Sequence, residues 1–180
     1  IHPVHFVNDV VPLFSKLGCN SGGCHGKASG QNGFKLSVFG FDAQADFASL
    51  SRESRGRRIF TGDPENSLLI LKAIGVTAHG GGRRCQPDSP DHQLLSNWIR
   101  QGMPWGDDSA PTVASVRVEP ADRVLGRSAE QQLLVTAVYS DGSTRDVTDA
   151  ASYSTNSPVV ADVEPGGLVH TGTVPGPAAI

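Results

Sequence analysis

Cys19-Asn20-Ser21-Gly22-Gly23-Cys24-His25 is the stretch from which the rest of this chain is read. Two thiols flank four residues, and an imidazole follows the second thiol directly. The surrounding segment carries six glycines between Gly18 and Gly33, so it reads as loop. Paired cysteines with an adjacent histidine have a specific chemical use. The thiols add to the two vinyl groups of one porphyrin, and the histidine lies under the iron, which makes a c-type haem attachment site. The usual spacing leaves two residues between the cysteines. Here Asn20 to Gly23 must bulge outward to span the same two vinyls, and Gly22 and Gly23 are read as supplying positive φ for that bulge.

Other readings of the same residues stay open. Cys19 and Cys24 can form a disulfide, which leaves Cys85 over and gives His25 no role. Cys19, Cys24 and Cys85 with His25 or His79 offer four soft ligands for a tetrahedral zinc. The third is coincidence in a glycine-rich loop.

A second axial ligand is sought in the loop before the last helix of the first half, Val76 to Asp88. His79 stands there, followed by Gly80-Gly81-Gly82, which let a backbone pass close to a flat ring. Cys85 lies in the same loop and is a lesser alternative. The single methionine, Met103, lies beyond the last helix and reads as packing. Arg83 and Arg84 are read as partners of the haem propionates, or as solvated loop charges. His2, His5, His92 and His170 have no such setting and read as surface or packing residues. With His25 and His79 both on iron, no coordination position is open. The site then moves electrons and catalyses nothing itself, at a lower potential than Met/His ligation gives.

Outward from the loop, Val4, Val7, Val10, Val11, Phe14 and Leu17 recur at helical spacing, predicting one amphipathic helix over residues 3–18. Phe34 to Phe39 alternates like a short extended segment, and a helix is expected around Ala43–Leu50. Asp63-Pro64-Glu65 and Ser89-Pro90-Asp91 each carry a helix start signal. They predict helices running to Gly75 and to Gly102. Past a linker at residues 107–115 the period changes to two, in Val116, Val118, Leu133, Val135, Ala137 and Tyr139, with a hairpin turn at Ser140-Asp141-Gly142-Ser143. Tyr153, Val159, Val160, Ala161 and Val163 continue the strand-rich pattern.

The expected architecture is therefore two domains. Residues 1–106 form an all-α cytochrome c-like fold, and residues 116–180 an all-β immunoglobulin-like sandwich, cut short at its C-terminal end. The chain has 180 residues and a formal net charge of −3 without a basic block, so nothing points to nucleic acid. No apolar run reaches the roughly 18 residues of a membrane span.

Four ordered motifs resemble the planctomycete-type cytochrome c domain: Phe34-Lys35-Leu36-Ser37-Val38-Phe39-Gly40-Phe41-Asp42, Ser67 to Ala73, His79-Gly80-Gly81-Gly82-Arg83-Arg84, and Leu94 to Gly102. The resemblance covers roughly residues 3–106 and places that family's attachment site on Cys19, Cys24 and His25. Its His-Gly-Gly-Gly segment falls on His79 to Gly82, and Cys85 belongs to no part of the pattern. Such domains stand near the N-terminus of large exported proteins. The second half, through Ala137 to Ser143 and Arg145-Asp146-Val147-Thr148, resembles a bacterial Ig-like domain of group 2, a spacing or adhesion module. The resemblance implies one covalent haem c, a redox partner protein or domain, no nucleic acid, and a periplasmic or cell-surface setting. A zinc-holding interaction module and a haem-based redox or ligand sensor are the alternatives from other classes.

Overall fold

The apolar stretch from Val4 to Leu17 does not run as one helix. Pro12 has no amide hydrogen, so it is placed where a helix begins, in the first turn of α1 (Val11–Lys16). The residues before it close a wider π-type turn, Phe6–Val10, in which the Val11 amide donates to the Phe6 carbonyl. His5 caps that turn with its ring Nδ1 accepting from the Asn8 amide at 3.3 Å. His2 lies outside the described residues, since this computed structural model describes residues 3–180.

The chain divides into two units, Ile1–Ala110 and Pro111–Ile180. The first holds, after α1, helices α2 (Ala43–Ser51), α3 (Leu68–Ala73) and α4 (Pro90–Arg100). Residues 35–37 carry no regular element, and Val38–Gly40 makes a 3₁₀ turn rather than the end of a strand. The start signal at Asp63-Pro64-Glu65 yields only the 3₁₀ turn Pro64–Asn66. Ser67 then turns extended, because its buried hydroxyl accepts from the Phe60 amide at 2.9 Å, and α3 starts afresh after it. The second signal holds as a cap: the Ser89 hydroxyl accepts from the His92 amide at 3.3 Å.

Phe6, Val10, Leu36, Leu50, Ile70, Leu95, Trp98 and Ile99 are closed to solvent in one core. The Trp98 ring lies 5.4 Å from Phe6, and its indole N–H donates to the Pro104 carbonyl at 3.0 Å. Phe6 in turn meets Phe47 of α2 edge-on at 5.1 Å. These contacts tie α2 and α4 to the chain's first turn and leave Phe14, Leu36 and Ala73 facing a cavity.

In the second unit, β1 (Val113–Glu119) pairs antiparallel with β3 (Leu134–Tyr139), and β3 with β4 (Thr144–Asp146) across the turn at Ser140–Ser143. A separate sheet has the order β2 (Glu130–Gln132), β6 (Leu168–Thr171), β5 (Ala161–Val163). Asp141 and Asp146 hold turns, each accepting from the amide and hydroxyl two residues on, at Ser143 and Thr148.

This architecture corrects the expected pairing of an all-α cytochrome c-like fold with an all-β immunoglobulin-like sandwich. Helix accounts for only 28% of the residues and strand for 16%. Among the described residues the four α-helices are short, and turns and loops carry much of the first unit between them. The second unit has two small three-stranded sheets, and β1 is exposed along its whole length. Tyr153, Val159 and Val160 lie outside any strand. Tyr153 instead donates its hydroxyl to the Thr148 carbonyl at 2.9 Å. Period-two alternation marks half-buried extended chain, but only pairing makes a sheet, and pairing is decided by partners distant in sequence. Among the described residues, no helix is long and apolar enough to cross a membrane.

Candidate functional site

The cysteine loop folds back on itself through its own backbone. The Cys19 amide donates to the Phe14 carbonyl of α1 at 2.8 Å, so the loop leaves the helix in a set direction. The amides of Cys24 and Gly26 both donate to the Ser21 carbonyl at 3.0 Å, and that of His25 to the Cys19 carbonyl at 3.0 Å. The glycine this folding demands is Gly26. A Cβ there would lie 2.1 Å from the Asn20 carbonyl oxygen. Gly22 and Gly23, expected to supply positive φ, do not have it, and a Cβ on either would meet nothing within 4 Å.

This loop forms one side of a cavity of about 320 Å³. Cys19, Cys24 and His25 line it, with Phe14, Phe34 and Leu36 as apolar wall. His79 lines it from the loop after α3. That loop is tied down by Lys72, whose ammonium donates to the Ala78 carbonyl at 2.7 Å, and by the Arg84 amide, which donates to the Ala73 carbonyl at 2.7 Å.

The two histidines share a geometry. His25 donates from Nδ1 to the Phe34 carbonyl at 3.0 Å, and His79 from Nδ1 to the Gly82 carbonyl at 2.8 Å. A carbonyl only accepts, so the proton of each neutral ring sits on Nδ1 and the lone pair on Nε2. The positive φ of Gly82, +69°, turns its carbonyl back onto the His79 ring. The rings lie 6.2 Å apart, centre to centre, and within 7° of parallel. Burial, opposed by the Phe34 bond, pushes His25 below the ordinary imidazole range, which favours its neutral form.

Both thiols are free, as is Cys85. Burial pushes the Cys19 thiol up to about 12, against the pull of the Arg84 guanidinium. Arg84 also approaches the Cys24 sulfur at 3.8 Å and lines the cavity. Arg83 does not line the cavity: its side chain is exposed and donates to Gln86 at 2.8 Å. Cys85 is buried in the core and takes no part in the cavity wall. Met103 packs against the same core. Of the remaining histidines, His5 caps the first turn and His92 is buried with Nε2 at 2.8 Å from Glu65. His170 lies between Glu130 and Glu164 in the second unit. Among the described residues, no three His, Cys, Asp or Glu side chains converge on a metal position. A zinc site of Cys19, Cys24, Cys85 and a histidine is therefore not assembled.

Two residues of the site carry no sequence signal. The Phe34 carbonyl orients His25, and a backbone acceptor has no side-chain signature. Arg58 is buried against the Phe34 ring, although Arg57-Arg58 in sequence looks like a pair of surface charges.

No family model matches this chain. One stretch of 68 residues, 38% of the chain, is 34% identical to Ice-binding protein 1 of Shewanella frigidimarina (strain NCIMB 400). It spans 8% of that protein's length.

Proposed function

We propose that the first unit carries one covalently bound c-type haem and serves in electron transfer. The observation that carries this reading is the pair of parallel imidazoles at 6.2 Å with both Nδ1 atoms committed to backbone carbonyls. A metal–imidazole bond is about 2.0 Å, and each ring centre lies roughly 1.15 Å behind its nitrogen; two rings on one metal are then about 6.3 Å apart. The Cys19 and Cys24 thiols stand in the same cavity wall as His25, and the resemblance of four motifs to planctomycete-type cytochrome c domains adds to the reading.

When bound, haem c supplies reversible one-electron exchange. The chain's residues do the rest. Cys19 and Cys24 would hold the group by thioether bonds, and His25 and His79, whose Nδ1 atoms are committed to carbonyls, would offer it their Nε2 lone pairs. Backbone carbonyls fix both tautomers, as second-sphere acceptors do for metal-bound histidines. Phe14, Phe34 and Leu36 keep water from one face, and Arg84 supplies positive charge beside the thiols. With His25 and His79 both engaged by the group, no ligand position would be left for a substrate, and the role of the unit would be to pass electrons to and from a partner protein or domain. Haem attachment to exported thiols goes with this reading, so the proposal carries a periplasmic or cell-surface setting with it. The partial likeness to an ice-binding protein covers too little of that protein to bring ice binding to this chain.

The deciding experiment is an optical spectrum of protein made in an exporting, haem-attaching host, taken oxidised and reduced after acidified-acetone extraction. A sharp reduced α-band that stays with the polypeptide supports the proposal. No visible absorption, with one zinc per chain by metal analysis, refutes it.

A further inference from the structure

Arg58 is the most conspicuous charge in the first unit. It is only 7% exposed, in a position the electron-transfer reading leaves without a task. A buried guanidinium is retained where its fork is used, and here each branch is. One terminal nitrogen donates to the Ser49 carbonyl of α2, and the other to the Gly33 carbonyl at 2.6 Å and the Ser54 hydroxyl at 3.2 Å. The nearest carboxylate, Glu53, stands 3.9 Å away and is half exposed, so it offsets the charge only partly. The guanidinium carbon lies over the Phe34 ring, 4.6 Å from its centre. Arg58 thus grips Gly33 by its carbonyl and Phe34 by its ring. Phe34 is the residue whose carbonyl accepts the hydrogen bond from His25 Nδ1 and whose ring packs 4.4 Å from the imidazole.

We infer that Arg58 is the positioning residue of His25: it holds the Gly33-Phe34 segment so that His25 keeps its proton on Nδ1 and its lone pair on Nε2, and it weights the site toward the reduced state by its charge. The first half rests on geometry alone; the second rests on the haem reading. Two contacts in series put the guanidinium carbon within about 9 Å of the His25 ring. At such a distance, with an effective dielectric constant of about 20, one unit charge changes a one-electron equilibrium on the order of tenfold. Charge and grip are separable by substitution. Arg58→Lys keeps the charge and loses the planar fork, whereas Arg58→Met loses both.

The test has two readouts. In the haem-free chain, ring-nitrogen NMR reports the His25 tautomer. The parent is expected to show the Nδ1–H form alone, and both variants a mixture. In the loaded protein, redox titration is expected to move the reduction equilibrium of Arg58→Met toward the oxidised state on the order of tenfold, and to leave Arg58→Lys within about twofold of the parent. A parent-like tautomer in folded Arg58→Lys or Arg58→Met overturns the positioning role. An unchanged equilibrium in loaded Arg58→Met overturns the electrostatic one. If Arg58→Met does not fold, Arg58→Lys alone decides the positioning role by its tautomer, and an Arg58→Lys equilibrium shifted as far as tenfold overturns the charge argument. If the parent never takes up haem, the haem reading falls and the electrostatic role with it, while the tautomer still decides the positioning role.

Discussion

Gly26→Ala puts the folding of the cysteine loop to a direct test. The new Cβ would stand 2.1 Å from the Asn20 carbonyl oxygen and 2.8 Å from the Ser21 oxygen, and both obstacles are backbone. An ordinary contact needs about 3.2–3.4 Å, so one strand of the loop must move by roughly 1 Å. The movement strains the bonds from the Gly26 amide to Ser21 and from the His25 amide to Cys19. Two lost hydrogen bonds at about 1 kcal/mol each, with about 1–2 kcal/mol of overpacking, give a cost of about 3–4 kcal/mol. At about 4 °C per kcal/mol for a unit of this size, the midpoint falls by about 12–16 °C. The assay is thermal unfolding of the haem-free chain by circular dichroism, with covalent haem staining of the same variants from a loading host. Gly22→Ala and Gly23→Ala are the controls. Neither has a neighbour within 4 Å nor a positive φ, so each should melt within about 2 °C of the parent, and Gly22→Ala, which does not line the cavity, should also stain as the parent does. If Gly26→Ala also melts within about 2 °C of the parent, the folded-back loop is wrong.

Two further outcomes follow from the cavity and from the core. His79→Ala removes the ring opposite His25, so the reduced, loaded variant should take up carbon monoxide and the parent should not; a folded variant that also fails to bind it takes His79 out of the ligand set. Asp46 is buried and accepts from the Ser37 amide and hydroxyl, yet burial outweighs those bonds and pushes its carboxyl above the usual range. A folded-state pKa above the unfolded one means that the native state holds this proton more tightly. Its contribution is therefore fully present at low pH and lost as pH rises through the folded value. Urea unfolding should accordingly show Asp46→Asn gaining stability relative to the parent as pH rises above the ordinary carboxylate range, and a difference independent of pH would contradict the assignment.

The parts of this protein legible in its sequence are those whose physics is local. Cys19, Cys24 and His25 fall on one loop because seven consecutive residues can hardly be elsewhere. The Ser89 cap needs only the amide three residues on. The turn at Ser140–Ser143 is made by Asp141 and Gly142 within itself. The grouping of His79 with the cysteine loop was also readable, from the glycines beside it, although its bond to the Gly82 carbonyl was not.

Tertiary structure alone decided what depends on partners far along the chain. Arg84 enters the cavity and Arg83 leaves it because the Arg84 amide is tied to Ala73, a choice that two identical neighbouring side chains cannot announce. Ser67 breaks the expected helix because a buried hydroxyl finds the Phe60 amide. Gly26, not Gly22 or Gly23, is the glycine the loop requires, since its obstacle is a carbonyl six residues back that approaches only when the loop closes. Arg58 is buried because Gly33, Ser49 and Phe34 converge on it. The two sheets remain separate because alternation specifies a face and not a neighbour. Spacing and capping act over a few residues and are written in order along the chain; burial and pairing act through space and exist only once distant segments have met.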